Sequence, residues 1–230
     1  MQTGAGVAAS ATEAAAPRTV LFDFDGVLIH GDSFAMFVRD RYARSFPRKA
    51  LALLCAPWLL LVLPFSRRRV LRALVHLALL GVNEASYRAQ AQAFAAALVR
   101  RPRQFCRDGL QALRRHQAAG DRVIVVTGCE DALVRGILAE LGLGGIEVHA
   151  SRLRGGWLGM RQQWHNVGRR KVQSLAQHGI EAWQVAYGDS MYDVAMLKGA
   201  AEAVLVNGSP KLCKRVEKAL GRAAIRVEWY

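Results

Sequence analysis

Two carboxylates one residue apart, Asp23 and Asp25, close the apolar run that begins Val20-Leu21-Phe22, and Gly26 follows them. The stretch from Val20 to Leu28 reads as a buried strand entering a turn. Side chains alternate along a strand, so Asp23 and Asp25 share one face while Phe22 and Phe24 pack the other. Two acids at a strand tip are costly unless something positive meets them, and a bound cation or a substrate group fills that role. The alternative is a surface turn with incidental acids.

Other residues able to do chemistry recur at similar places. The β-branched run Arg122 to Thr127 ends in Thr127-Gly128, and the strand Trp183 to Tyr187 runs into Gly188-Asp189-Ser190-Met191-Tyr192-Asp193. Lys171 sits beside Arg169 and Arg170 at a helix start, a position that taken alone reads as surface. Asp23, Asp25, Thr127 and Asp189 all fall at the carboxyl ends of strands, where parallel sheets bind their ligands.

The elements that must position these residues alternate between strand and helix from Gln104 onward. Helices are expected over 105–119, 131–141, 168–178, from 193 to 198 and from Pro210, with strands at 122–127, 183–187 and 203–206. Strands at 146–153 and 157–160 form a pair around a tight turn at Arg154-Gly155-Gly156. Such alternation argues for an α/β fold, a Rossmann-like parallel sheet with helices on both faces. Between the first strand and this series lies an all-helical insertion. It holds a helix near 34–45 capped at Asp32 or Ser33, an apolar run at 50–65, and helices at 70–82 and 84–100, the last capped by Asn83. The organisation read from the chain is a flexible tail over 1–17, a catalytic core of 18–32 and 104–230, and a helical cap of 33–103.

With 230 residues the chain can bury a substantial core. Its 32 basic against 18 acidic residues give a net charge of +14 and favour anionic partners. Residues 33–103 hold thirteen of the basic side chains against only Asp40 and Glu84, a local balance of +11. The apolar run there, Ala50 to Phe65, is broken by Pro57 and Pro64 and flanked by Arg48-Lys49 and Arg67-Arg68-Arg69. A membrane-spanning helix needs about 20 apolar residues, so a re-entrant or interfacial segment or a buried helical hairpin fits better. Basic residues beside apolar ones suit an anionic lipid surface; a core-packed cap with a solvated basic rim is the alternative. The four cysteines have neither the spacing of a disulfide framework nor that of a zinc site, the first residues lack the pattern of a signal peptide, and a cytoplasmic compartment is the default. No aromatic-basic nucleic-acid motif occurs.

The constellation resembles the haloacid dehalogenase superfamily of phosphotransferases. Asp23-Phe24-Asp25-Gly26 is similar to its Asp-x-Asp-Gly motif, Val123 to Gly128 to its second motif, Lys171 to its lysine, and Gly188 to Asp193 to its Gly-Asp-Ser-x-x-Asp. Each motif is weak alone; the four in order are strong. The resemblance implies a phosphatase in which Asp23 is the nucleophile and forms an aspartyl-phosphate, and Asp25 is the acid and base. It implies that Thr127, Gly128 and Lys171 hold the phosphoryl group, and that Asp23, Asp25, Asp189 and Asp193 serve a magnesium ion. The helical insertion resembles the branch containing phosphoserine phosphatase and bacterial phosphatidylglycerophosphatase C. Asp32 stands where the former has a serine-reading Glu, and the apolar, basic-flanked insertion is similar to the latter. Asp32, Arg67, Arg68 and Arg69 are accordingly candidates for substrate or surface contact. The expected substrate is a phospholipid phosphate monoester such as phosphatidylglycerophosphate, met at the inner face of the cytoplasmic membrane. A soluble phosphomonoesterase and a non-catalytic basic binding protein are the alternatives.

Overall fold

The computed structural model describes residues 17–230, and the expected tail lies, Pro17 apart, outside them. In chain order β1 (Thr19–Phe22) is followed by α1 (Ser33–Ala43), α2 (Phe46–Val62), α3 (Arg67–Ala78) and α4 (Glu84–Val99). Then come α5 (Arg107–Ala118), β2 (Arg122–Glu130), α6 (Asp131–Glu140), β3 (Glu147–Gly156), β4 (Gly159–Trp164) and α7 (Arg169–Gln177). The chain continues through β5 (Trp183–Gly188), a single 3-10 turn (Met191–Asp193), α8 (Val194–Gly199), β6 (Ala200–Val206), α9 (Pro210–Leu220) and β7 (Ile225–Val227).

The strands form one seven-stranded sheet in the order β4-β3-β2-β1-β5-β6-β7, parallel except for the β3–β4 hairpin. The middles of its central strands, Val20 to Phe22 and Val123 to Val126, are continuous apolar runs because both faces are covered. Val20, Phe22, Val125 and Val185 point into one apolar layer with Ile137 and Phe94, while Leu21, Ile124, Val126 and Ala186 point into the other with Leu175, Trp183 and Leu197. The α/β architecture with helices on both faces is thus the one expected.

Local boundaries differ from the expectation where backbone chemistry intervenes. β1 stops at Phe22 because the chain turns back at once: Leu28 N–H donates to Phe24 O at 2.9 Å, and Gly26 supplies the positive φ of +80°. Asp23 and Asp25 therefore lie in a loop, not on one strand face. The hairpin turn lies at Trp157-Leu158 rather than 154–156, since Gly155 and Gly156 stay in the strand pairing. Gly159 takes the positive φ instead, where a Cβ would strike the Leu79 carbonyl. β7, unforeseen, is three residues long and half exposed at Ile225, too short to leave a pattern.

The helical segment has two unlike halves. α4 packs on α6, with Gly136 letting Ala95 approach to 3.3 Å of where its Cβ would stand, and Phe94 and Tyr87 both meet Phe37 of α1 edge-on. α2 instead runs unbroken through Pro57 and buries only Leu59. Leu53, Leu54, Trp58, Leu60 and Leu61 are open to solvent, Leu54 at 78%. The apolar run is one helix over most of its length and not a buried hairpin.

This asymmetry fixes an expected outcome in chemical denaturation. Phe94→Ala should lose about 3–5 kcal/mol by opening a cavity between segment and core. Leu54→Ser should stay within about 0.5 kcal/mol of the parent, because no packing is lost.

Candidate active site

Three chain segments converge beyond the carboxyl edge of β1, β2 and β5. Asp23, the first residue after β1, donates its N–H to Tyr187 O of β5 at 2.9 Å, which carries the β-pairing one residue past the strand. Its Oδ1 accepts from Phe24 N at 2.8 Å and pairs with Lys171 Nζ at 2.8 Å, and Oδ2 is engaged by neither. Lys171, in the first turn of α7, is only 2% exposed and reaches Asp193 Oδ1 at 2.6 Å as well. The opposite oxygen of Asp193 accepts from Ser190 N at 3.0 Å and Ser190 Oγ at 2.7 Å, a reciprocal cap that starts the 3-10 turn. Lys171 is thus no surface residue, and Asp193 is no ordinary first-turn acid.

Asp23, Asp189 and Asp193 each offer an oxygen within 4.8 Å of the others. Gly26 packs so tightly on Asp189 that a Cβ there would overlap its carboxylate. When ionised, three carboxylates against one ammonium leave a net charge of −2 in a largely buried space. Hard oxygen donors with excess negative charge fit a divalent cation of the magnesium type. The Asp25 carboxylate lies outside this cluster, turned to accept Ser33 N–H at 2.9 Å, so only its backbone could join the other three at a metal.

The electrostatics follow from burial. Desolvation first, then the Asp193 charge, hold Asp23 well above the ordinary carboxylate range against the pull of Lys171. Desolvation lifts Asp25 to about 6 against its hydrogen bonds from Ser33, and desolvation with Asp193 lifts Asp189 to about 6. For Lys171 burial works against the charge, but Asp193 and Asp23 outweigh it and keep the ammonium protonated. Asp193 is likewise opposed by burial yet held low by Lys171 and Ser190.

Thr127 and Gly128 sit in β2 where its register with β3 slips between Val126 and Glu130, a bulge that re-aims the chain at the strand end. Thr127 is fully buried, and its Oγ1 accepts Cys129 N–H at 3.0 Å, which leaves the hydroxyl proton to donate. Asp32 caps α1 through Ala35 N–H at 2.8 Å and acts on Asp25 through space. Arg67, Arg68 and Arg69 open α3 as exposed side chains, with no hydrogen bond or ion pair to Asp23, Asp25 or Asp189 among the described residues.

Sequence reasoning missed several supporting residues. Ser33, buried at the start of α1, gives its Oγ–H to Cys129 Sγ at 3.0 Å while its N–H holds Asp25. Ser151 donates to Gly128 O at 2.7 Å and accepts Asn166 N–H at 2.9 Å, pinning the hairpin's exit to the β2 bulge. Tyr87 Oη donates to buried Glu130 at 2.5 Å, joining α4 to the core. Ser190 alone left a signal, the Ser-x-x-Asp spacing of a capping box; the others act across tens of residues.

The pattern of the haloacid dehalogenase-like hydrolases matches residues 20–198 of the chain. Protein CicA of Caulobacter vibrioides is 32% identical over 199 residues, covering 81% of this chain and 84% of CicA. Among solved structures, a protein of unknown function from Bordetella pertussis Tohama I aligns with a TM-score of 0.69 at 20% identity, over 91% of this chain and 98% of that one. A phospho-aspartyl intermediate analogue of phosphoserine phosphatase aligns with a TM-score of 0.55 at 18% identity, over 92% and 93%.

The raised carboxylates make stability depend on pH. Between the ordinary 3.8 and the folded value of about 6, Asp25 and Asp189 bind more protons folded than unfolded. Their contribution is therefore full below pH 3.8 and lost as pH rises through 6. Thermal unfolding in chelator should show Tm falling from pH 5 to 7.5. Added magnesium should raise Tm more at pH 7.5 than at pH 5, because it replaces the protons; an equal rise at both would contradict the clustered-carboxylate site.

Proposed function

The chain belongs to the haloacid dehalogenase-like hydrolases; we propose that it is a phosphomonoesterase with Asp23 as its nucleophile, magnesium as its metal, and a lipid phosphate such as phosphatidylglycerophosphate as its substrate. The observation that carries the mechanism is the buried Lys171 shared by Asp23 and Asp193, with one Asp23 oxygen left over for attack. We take residues 33–103 as a cap on a core of 18–32 and 104–230.

Asp23 attacks phosphorus while the ester bond to the leaving oxygen breaks, and a phosphoryl group is left on Asp23. Asp25, held near pKa 6 by its burial, carries the proton that goes to the leaving oxygen. As a carboxylate it then takes a proton from water, which attacks phosphorus, breaks the Asp23–phosphoryl bond and frees phosphate. Ser33 N–H fixes the direction in which Asp25 points. Thr127, the Gly128 backbone and Lys171 hold the phosphoryl oxygens. Asp23, Asp189, Asp193 and the Asp25 backbone carbonyl would hold magnesium, directly or through water for Asp193, and the ion would supply positive charge that offsets the repulsion of carboxylate and phosphate ester.

The lipid assignment is supported by the bare face of α2. Burying a Leu or Phe side chain is worth about 1.5–3 kcal/mol. The open face of α2 and its neighbour Phe65, 84% exposed, thus forgo several such terms in water. Arg67, Arg68 and Arg69 lie beside it without a carboxylate partner among the described residues, and each basic residue near an anionic bilayer contributes about 1 kcal/mol. No single helix among the described residues is long and apolar enough to cross a membrane. The 17 residues of α2 reach about 25 Å, against a hydrocarbon core of about 30 Å, so α2 lies in the interface. The cytoplasmic leaflet, which carries the anionic lipids, is the surface it fits.

Asp23→Asn should cut kcat by at least about 10³-fold with Tm little changed, and Asp25→Asn by about 10²–10⁴-fold with phosphate binding retained. Phosphate release and calorimetry check both, and near-parent turnover of Asp23→Asn removes it as nucleophile. The surface has its own test. The parent should float with anionic vesicles and release with salt. The double variant Leu54→Glu with Leu61→Glu should lose flotation and turnover of vesicle-borne substrate while keeping turnover of a soluble phosphomonoester. Equal effects on both substrates, with no flotation of the parent, would favour a soluble metabolite.

A further inference from the structure

Two buried side chains, Ser33 and Cys129, join the carboxyl assigned to proton transfer to the strand end assigned to the phosphoryl group. Ser33 opens α1 directly after its cap Asp32 and has no exposed surface. Its N–H donates to Asp25 Oδ1 at 2.9 Å and its Oγ–H to Cys129 Sγ at 3.0 Å. Cys129 lies in the β2 bulge, and its own N–H donates to Thr127 Oγ1 at 3.0 Å. A route Asp25–Ser33–Cys129–Thr127 thus runs from the loop after β1 through the start of α1 to β2, and its middle step bridges residues 96 apart in sequence.

Each link constrains what it touches. Among the described residues Ser33 alone hydrogen-bonds the Asp25 carboxyl, so the start of α1 sets how that carboxyl is turned. A buried hydroxyl needs an acceptor for its proton, and Cys129 supplies it. Burial first holds the Cys129 thiol well above its ordinary pKa, so the sulfur serves as a neutral partner and not as a nucleophile. α4 makes a parallel tie next door: Tyr87 Oη donates to Glu130, the residue after Cys129, and Phe37 of α1 packs edge-on against Tyr87 at 5.7 Å. That second tie holds the helical segment to the core but ends on no residue of the chemistry.

We propose that Ser33 and Cys129 are positioning residues for the proton transfer: the Oγ–H···Sγ bond fixes the start of α1, and through it the Asp25 carboxyl, against the strand end that holds the phosphoryl group. The proposal rests on the role of Asp25 given above. Misplacing a proton donor by about an ångström costs rate far more than affinity, so the bond acts on the step that breaks the ester. Neither Ser33 nor Cys129 exchanges a proton with substrate. The demand for the Asp25 proton depends on the leaving group, since an alkoxide needs it whereas p-nitrophenolate departs readily without it.

The test measures kcat/KM, which covers the steps up to departure of the alcohol, for glycerol 1-phosphate and for p-nitrophenyl phosphate. Asp25→Asn is the reference and should lower the ratio of the first to the second by about 10²-fold. Ser33→Ala and Cys129→Ala should each lower it by about 10-fold, and the double variant by no more than either alone, since both remove one bond. Cys129→Ser restores an acceptor and should return the ratio to within about threefold of the parent. Tyr87→Phe should lower Tm yet leave the ratio within about twofold, because its bond ends on Glu130. A ratio moved as far by Tyr87→Phe as by Ser33→Ala overturns the proposal and leaves the role of Asp25 standing. So does a ratio that Asp25→Asn shifts but Ser33→Ala and Cys129→Ala do not. An unmoved ratio in Asp25→Asn itself removes the acid assignment and the proposal with it.

Discussion

A lysine ammonium buried between two carboxylates governs the site and much of the topology around it. Burying an unpaired charge costs several kcal/mol, and Lys171 is held by Asp23 and Asp193, 2.8 and 2.6 Å away. Those three residues come from the end of β1, the start of α7 and the turn after β5, segments joined only through adjacent parallel strands. Gly188 carries no Cβ because Asp193 stands where it would be, and Ser190 locks the far oxygen of Asp193. Removing Lys171 would leave two carboxylates buried without their partner.

The neutralisation is also incomplete, and that incompleteness is functional. Lys171 balances one carboxylate of the three in the cluster, and burial lifts the others toward neutrality until a cation arrives. The protein thereby keeps strain at its catalytic edge instead of an ion pair that would satisfy itself. Asp25 stands apart from this cluster, turned toward Ser33 at the mouth of the helical segment. In the proposed mechanism the carboxylate cluster serves charge and metal, and this separate carboxyl moves the proton.

The helical segment divides its labour the same way. α4 belongs energetically to the core, through Phe94, Ala95 and the Tyr87–Glu130 hydrogen bond. α1 touches the chemistry, since the N–H of its first residue holds Asp25 and the hydroxyl of that residue reaches Cys129 of β2. α2 contributes little to either and shows its leucines to solvent. An apolar helix face is thus left uncovered by a chain that covers both sheet faces, and exposed arginines open the next helix beside it.

Much of this was legible in the residues alone. Asp23, Asp25 and Asp189 could be named because strand periodicity and strand-end position are local signals, Lys171 and Asp193 only through the resemblance of the four motifs in order, and the doubly covered sheet followed from apolar runs alternating with helices. Ser190 and Asp32 could be placed for the same reason, caps being made within three residues. What the tertiary structure decided was everything that depends on packing between distant segments. Lys171 alone in sequence reads as one more basic residue beside Arg169 and Arg170; only the approach of α7 to β1 buries it. The run at 50–65 has the composition of a core helix, and nothing within it tells whether a neighbour covers it, so its exposure had to be seen. Sequence records spacing along the chain, whereas burial and charge balance are properties of the space between segments.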